Sequence, residues 1–394
     1  MDSGDFWLWL APIFLLPVFF AMGWFAARID MRAVLKQAKA VPEGFYKGLD
    51  ALAEHKSGVA VQALAEVIDQ QHSTRQGTYE LPLTLGKLYR QRGENDKAIA
   101  LHQRLLSSPD ITGVKRDLIS FELGQDFQAA GLVDRAEQIF LGLEKSSMAR
   151  SAREILLNIY QQDRDWQKAI GLAQELSHGD QTYQFEIAQF YCELAQVALY
   201  QSEFEQANKL AQQALKINRK CTRANMIQGD IALKQQQYSG AVSAYSAIEK
   251  QNYEYLSMIG ERLYDAYDGL GKARDGLEVL VGYMQTFPQL DLLGVVYDKS
   301  LLLYGEQKAA EMVLDLVRRK PDINGVYRLL GVRLPELNPV WRSDFDMMRS
   351  VIGQQMQKSL MYRCRHCHFK SQVFFWHCPA CNKWETFTPN RIEI

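Results

Sequence analysis

The stretch LGQDFQAAGLVDRAEQIFLGL, residues 123–143, carries the pattern that decides the fold of this chain. Its small residue, Ala136, follows a Leu-Gly pair and a ring residue and precedes bulky apolar residues four and seven positions later. Similar arrangements recur along the chain at intervals of 33 to 38 residues. The small residues of the series are Ala60, Ala98, Ala136, Ala169, Ala207, Ala241, Gly276 and Ala309.

A pattern with this period predicts stacked pairs of antiparallel helices. The small residue lets the two helices of a unit approach closely, and the large residues fill the space between units. Gly93, Gly131 and Gly271 fall where the turn between two helices needs a positive φ. We therefore predict an all-α fold in which residues 44–321 form a tetratricopeptide-type solenoid of about eight repeats.

Two Cys-x-x-Cys pairs near the C-terminus predict a metal site. Cys364 and Cys367 are separated by ten residues from Cys378 and Cys381. Each tight turn directs two sulfurs at one centre, and the intervening stretch suits a short hairpin that brings the pairs together. Four sulfur ligands fill a tetrahedral shell around one ion, which is typical of a structural or electron-carrying site. Iron and zinc both accept this geometry, and a disulfide pairing is the competing interpretation.

The N-terminal region predicts a membrane anchor. Residues 6–27 carry no charge and as a helix would measure about 33 Å, enough for a bilayer core of about 30 Å. A cleaved signal peptide would need a basic start and a shorter apolar run, whereas Asp2 and Asp5 precede this one. The basic residues after it place the body on the cytoplasmic side. We expect a periplasmic tail (1–5), a transmembrane helix (6–27) and a basic juxtamembrane segment (28–43).

Composition and motifs argue against an enzyme. Hydrophobic residues make up 47% of the chain and charged residues 23%, as in an ordinary folded protein. A net charge of −1 gives no general attraction to nucleic acid. The sequence contains no Gly-rich phosphate loop, no His-Glu-x-x-His and no recognisable nucleophile elbow. We predict neither catalysis nor nucleic-acid binding.

The first helices of the repeats are expected to line a partner-binding surface. Polar side chains there suit an extended peptide, although a merely solvated face would look the same. Residues 322–358 are expected to form a helical linker, whose last helix should dock the metal module, residues 359–394, on the solenoid's end. The apolar stripe expected to make this contact is Met347, Met348, Val351, Ile352 and Met356. The candidate partner-binding residues are Lys87, Arg90, Gln125, Gln128, Asn158, Gln161 and Gln196.

The anchor, the repeats and the terminal motif together resemble the lipopolysaccharide assembly protein B family. The most specific part is Tyr362-Arg-Cys-x-x-Cys367 followed by Trp376-His-Cys-Pro-x-Cys-x-x-Trp384, and the resemblance runs over essentially the whole chain. It implies a rubredoxin-like or zinc-ribbon β module in which the four cysteines bind the metal ion. One departure is His368, which stands where such knuckles usually carry Gly.

The resemblance also implies a function. The family is an inner-membrane adaptor that presents the lipid A committed-step deacetylase LpxC to the membrane protease FtsH. It answers to an inner-membrane regulatory sensor protein and works with other lipopolysaccharide synthesis and transport proteins. A membrane-tethered, rubredoxin-like electron-transfer protein is the alternative, but it leaves the repeats unexplained. The sequence leaves homo-oligomerisation, the metal's identity and any redox role of the module open.

Overall fold

The computed structural model describes residues 43–71, 79–177, 182–319, 321, 323–334, 337–390 and 392–393, together with Phe20, Met22 and Trp24. The chain divides into two compact units, Met1–Ile159 and Tyr160–Ile394. Among these described residues no helix combines the length and the apolar content needed to cross a bilayer. The predicted membrane helix, residues 6–27, lies outside them apart from the three residues just named.

Within its described residues, the first unit consists of helix pairs. Short turns join the two helices of each pair, and α7 continues across the boundary into the second unit. Its helices are α1 (Glu43–Ala53), α2 (Ser57–Gln71), α3 (Glu80–Gln91), α4 (Asn95–Leu106), α5 (Gly113–Ala129), α6 (Val133–Gly142) and α7 (Ala149–Gln162).

The second unit continues the pairs and ends in a small antiparallel sheet. A 3-10 turn, Tyr253–Tyr255, precedes α13, and the strand order is β2-β1-β3. Its other elements are α8 (Trp166–Ser177), α9 (Gln184–Tyr200), α10 (Phe204–Ile217), α11 (Thr222–Lys234), α12 (Tyr238–Asn252), α13 (Leu256–Gly269), α14 (Ala273–Thr286), α15 (Leu293–Tyr304), α16 (Glu306–Arg319), α17 (Ile323–Arg333), α18 (Pro339–Ser359), β1 (Leu360–Arg363), β2 (Lys370–Ser371) and β3 (Ile392–Glu393).

The small residues of the repeat lie where the pattern predicted. Each falls in the second helix of a pair, and the seven alanines of the series are all 0% exposed. Complete burial of so small a side chain brings two helix backbones close together. The predicted helical repeat fold and the small C-terminal β module are confirmed.

A second packing rule, which the repeat period alone does not predict, links the two helices of a pair. A glycine in the first helix faces a large side chain sixteen residues later, and a Cβ on that glycine would lie 2.3 to 2.7 Å from that side chain. Because real Cβ atoms do not approach so closely, the large residue fits only against glycine. The pairs are Gly48–Leu64, Gly86–His102, Gly124–Phe140 and Gly229–Tyr245.

The turns within the pairs share one geometry. Gly93, Gly131 and Gly271 have φ of 77°, 76° and 72°, which confirms the predicted positive φ. The residue after each donates its amide to the carbonyl oxygen five positions earlier, at 2.8 to 2.9 Å, which closes the helix end. The same bond and a positive φ occur at four turns without glycine, centred on His55, Arg164, Ser202 and Gln236.

Helix α18 departs from expectation. Met347, Met348 and Val351, predicted to be core, are 62%, 49% and 61% exposed. The opposite side of the helix packs on α17, where the Arg349 guanidinium lies 4.9 Å from the centre of the Tyr327 ring. These three residues therefore do not dock the metal module as predicted. Of the other two residues of the stripe, Ile352 is half-buried and the side chain of Met356 lies outside the described residues.

Substituting Gly124 by Ala should destabilise the protein by about 1–3 kcal/mol, because the added Cβ would lie 2.7 Å from the fully buried Phe140 ring. Urea unfolding followed by circular dichroism measures the change. Gly142→Ala is the matched control, since nothing lies within 4 Å of its Cβ position, and it should be neutral or slightly stabilising. Equal midpoints for the two variants would contradict the close packing inferred here.

Candidate metal centre and the face it covers

The two cysteine knuckles have the same backbone geometry. The His368 amide donates to the Cys364 carbonyl oxygen at 3.0 Å, and the Asn382 amide donates to that of Cys378 at 2.9 Å. The amide of each first cysteine donates to the carbonyl oxygen five residues later, at 2.9 Å in both knuckles. His368 and Asn382 both have positive φ, 62° and 53°. His368 therefore takes the conformation for which glycine is the usual choice.

The four sulfurs fit one tetrahedral metal ion. They all lie within 4.8 Å of one another. The Sγ atoms of Cys364 and Cys381 are 3.8 Å apart, and those of Cys367 and Cys378 are 3.7 Å apart. A tetrahedron with metal–sulfur bonds of about 2.3 Å has edges of about 3.8 Å. The predicted four-cysteine site is confirmed, and its donor set suits zinc or iron.

Hydrogen bonds prepare one sulfur for metal binding. Burial raises the pKa of the Cys364 thiol, but the Cys367 amide, the Thr386 hydroxyl and the His366 amide outweigh it and lower the pKa to about 6. Burial raises the pKa of Cys378, and it raises that of Cys381 to about 12. A metal ion must therefore displace protons from Cys378 and Cys381, so binding should tighten as pH rises.

The ligands differ in their access to solvent. Cys364 and Cys378 are fully buried, and the Phe387 ring, 1% exposed, packs against them with Phe375. Cys367 is exposed on the outer side of the first knuckle. The centre is thus closed toward the protein and open at one sulfur.

Trp384, the last residue of the metal motif, attaches the module to the helical repeats. Its ring packs against Trp166 of α8 and Phe190 of α9, at centroid distances of 5.8 and 5.9 Å. Its Nε1 donates to Gln161 Oε1 of α7 at 3.1 Å. The ring of His377, which precedes a ligand, stacks on Trp384 at 4.5 Å. One side chain therefore contacts the knuckle and three successive helices.

Trp376 makes a second aromatic contact. Its ring stacks on Tyr255 of the 3-10 turn at 5.1 Å and 11°. The Arg223 guanidinium of α11 lies 5.2 Å from the ring centre, where a cation is attracted to the π face. Phe374 meets Tyr255 edge-on at 6.3 Å. The aromatic residues of the motif serve docking as well as the small core.

Polar contacts surround these rings. Gln189 Nε2 of α9 donates to Glu385 Oε1 at 2.6 Å. Arg365 pairs with Glu254, with both oxygens within 2.8 Å. The Ser257 hydroxyl of α13 donates to Asn390 Oδ1 at 2.6 Å. The module therefore lies across successive repeats of its own unit, which corrects the prediction that it docks on the solenoid's end. Of the residues of this face named above, only Gln161 was among the predicted partner-binding residues.

The predicted partner-binding residues have different surroundings in the structure. Gln161 binds the module through Trp384. Arg90 donates to Asp126 at 2.6 Å, Glu122 at 2.7 Å and Gln125 at 2.8 Å, and Lys87 pairs with Glu122 at 2.8 Å. Asp126 also contacts His102, and both of these side chains are fully buried. Gln128 and Gln196 are half-buried and Asn158 is exposed; partner binding by these seven residues stays a prediction.

Replacing His368 by Gly should stabilise the module by up to about 1 kcal/mol, because glycine adopts the left-handed conformation without the Cβ penalty. The thermal midpoint of the metal-loaded protein and the rate of metal transfer to a chelator measure this gain. Asn382→Gly is the matched control and should gain less, because asparagine tolerates positive φ better than histidine. A faster metal loss in His368→Gly would contradict the expected relief of strain.

Glu385→Gln should make the docked module more stable at neutral pH. Burial raises the pKa of Glu385 despite its hydrogen bond from Gln189 and the nearby Arg223. The docked state therefore binds a proton more tightly than the released state, so docking weakens as pH rises through the raised pKa. The variant keeps an acceptor for Gln189 but removes the charge, and its unfolding midpoint should vary less between pH values of about 5 and 8.

Glu385→Ala is the control, since it removes the charge together with the hydrogen bond. It should flatten the pH dependence as well, but at a lower stability. A pH profile in Glu385→Gln as steep as that of the unmodified protein would show that another group is responsible.

Comparisons with known proteins agree with this architecture. Residues 362–389 match the model of the rubredoxin metal binding domain, and residues 83–113 and 192–255 match tetratricopeptide repeat models. Solved chains of Pseudomonas aeruginosa PilF and of MamA align at 19% and 17% identity, covering 53% and 48% of this chain and 91% and 94% of those chains. Their TM-scores, 0.27 and 0.30, are too low to carry an argument.

Two relatives match nearly end to end. Lipopolysaccharide assembly protein B of Escherichia coli K12 is 30% identical over 381 residues, 96% of this chain and 97% of that protein. The protein of the same name from Haemophilus influenzae is 27% identical over 387 residues, 95% of this chain and 96% of its own. The chain belongs to the lipopolysaccharide assembly protein B family.

Proposed function

We propose that this chain is a non-enzymatic adaptor that regulates lipopolysaccharide synthesis at the inner membrane. Support comes from its family, whose members are named for lipopolysaccharide assembly and match over nearly the full length. Helical repeats of this type commonly present binding surfaces to protein partners. The observation that carries the proposal is the docking of the metal module across the repeats through Trp384 and Trp376.

This docking makes the module and the neighbouring repeats one recognition surface. Aromatic contacts, the Arg365–Glu254 pair and hydrogen bonds between the module and Gln161, Gln189 and Ser257 hold the module across these repeats. Metal binding folds a module of this size and cross-links its two knuckles. The rigid surface has the properties of a scaffold that positions two other proteins.

The proposed partners are the lipid A pathway deacetylase LpxC, as the protein presented, and the membrane protease FtsH, as the receiver. Residues 6–27 would anchor the chain, with its N-terminus in the periplasm and its body in the cytoplasm. Anchoring confines the adaptor near the protease and raises their effective concentration. An inner-membrane sensor protein would restrain the delivery.

The exposed sulfur of Cys367 favours a second candidate, electron transfer. An exposed ligand of an iron-loaded site would offer a path for an electron. Metal analysis of protein purified from its own cells decides this, because zinc carries no redox chemistry. Iron that cycles reversibly between two oxidation states would favour the second candidate, and zinc would exclude it.

Trp384→Ala tests the adaptor proposal. The change removes the ring contacts to Trp166 and Phe190 and should destabilise docking by about 3–5 kcal/mol while leaving the four ligands in place. In cells carrying only this variant, the half-life of LpxC after translation is blocked should lengthen several-fold. Immunoblotting measures the half-life, and metal content shows whether the module is still folded.

Phe369→Ala is the matched control, because Phe369 lies in the same module but is 39% exposed and makes none of the contacts to the repeats described above. It should leave the turnover of LpxC unchanged. Normal turnover in Trp384→Ala, with limited proteolysis showing that the module is released, would refute the proposed role of docking.

A further inference from the structure

Two cysteines outside the metal site lie together beneath the module. Cys192 is in α9 and Cys221 directly precedes α11, and their sulfurs are 3.6 Å apart. They are 0% and 1% exposed, within an otherwise apolar cluster that includes Ala195 and Ile227. Neither belongs to the four-cysteine centre. Neither metal binding nor packing of the repeats requires two cysteines to lie together at this position.

The separation of the sulfurs suits disulfide formation. A disulfide bond is about 2.05 Å long, so the two atoms must approach by about 1.5 Å. The bond would join the first helices of two successive repeats.

The two thiols are not equivalent. A hydrogen bond from Cys192 lowers the pKa of Cys221. The nearby Ala224 amide, in the first turn of α11, also lowers this pKa, although the Cys221 side chain does not form a capping hydrogen bond. Burial raises the pKa of Cys192. Cys221 is also the N-cap residue of α11, where the helix N-terminus favours a thiolate. Because the thiolate is the nucleophile, Cys221 is the better attacking group and Cys192 the better resolving group.

The pair lies directly under the docked module. Gln189 Nε2 is 3.9 Å from the Cys221 sulfur and 2.6 Å from Glu385 Oε1 of the module. One amide thus contacts both the thiol pair and the module. A covalent change at Cys221 would alter the environment of a docking contact.

We propose that Cys192 and Cys221 form a reversible oxidation site that reacts with hydroperoxides, of which hydrogen peroxide is the smallest. Such a molecule reaches a buried thiol when the structure opens locally. The product is a disulfide between α9 and the start of α11. A thiol reductant restores the pair by exchange.

The chemistry balances in two steps. The Cys221 thiolate attacks one peroxide oxygen, so a sulfur–oxygen bond forms, the oxygen–oxygen bond breaks, and the departing hydroxide takes up a proton to become water. The Cys192 sulfur then attacks the Cys221 sulfur. The disulfide forms, the sulfur–oxygen bond breaks, and the second hydroxide leaves as water with the Cys192 proton. Two thiols and one hydrogen peroxide give one disulfide and two waters.

Peptide mapping of the full-length, metal-loaded protein tests the proposal. The protein is treated with hydrogen peroxide, its remaining thiols are alkylated, and it is digested with trypsin. Cleavage after Lys220 and Arg223 releases Cys221-Thr-Arg223, which should be linked to the peptide 169–209 that contains Cys192. Dithiothreitol should separate the two peptides. The exposed Met347 and Met348 serve as an internal control for active oxidant, because both should be oxidised to the sulfoxide in the same sample.

Single variants assign the two roles. In Cys192→Ser the sulfenic acid at Cys221 has no resolving thiol and should be trapped by dimedone, whereas Cys221→Ser should show no trapped Cys192. Circular dichroism and metal content identify variants that still fold. If Cys192 and Cys221 are both alkylated, and so still reduced, in a sample whose methionines are oxidised, the proposal is wrong. Linkage of Cys221 to a metal-site cysteine would also overturn it. Dimedone on Cys192 would overturn the assigned roles.

Discussion

The contact of Trp384 with the helical repeats links the metal module to three successive helices. Its ring lies between His377, which neighbours a metal ligand, and the rings of Trp166 and Phe190. A change in the second knuckle that moves either ring would therefore alter the contact with the repeat face. A metal ion bound by the four cysteines would act on more than a small domain, because it would hold in place the side chain that attaches this domain to the repeats.

Close packing is the second constraint. A glycine sixteen residues before a large side chain lets Phe140 and Tyr245 reach the opposite helix without displacing it. Where the large residue is His102, the same space holds a polar ring that contacts Asp126 inside the first unit. One spacing therefore accommodates both an apolar ring and a buried polar pair, because the glycine supplies space and not a particular chemistry.

The sequence predicted the helical repeats and the metal ligands, but not where the metal module contacts the repeats. The period predicted the helix pairs, since burial of a small residue at a constant interval is a local consequence of stacking. The positive φ at four other turns was not predicted, because these residue types do not usually adopt it. The residues are His55, Arg164, Ser202 and Gln236. Helix α18 was misjudged, because an apolar stripe does not show which side of a helix its neighbour covers.

The sequence by itself determined the helical repeat, the four sulfur ligands and the family, since each depends on residue identities at fixed spacing. Only the tertiary structure decided where the module docks, because Gln161, Phe190, Arg223 and Tyr255 are distant in sequence and meet the module through folding of the repeats. The same holds for Cys192 and Cys221, which are unremarkable in the sequence but lie 3.6 Å apart in the fold. Spacing along a chain specifies local geometry, whereas contacts between distant residues exist only once helices have packed.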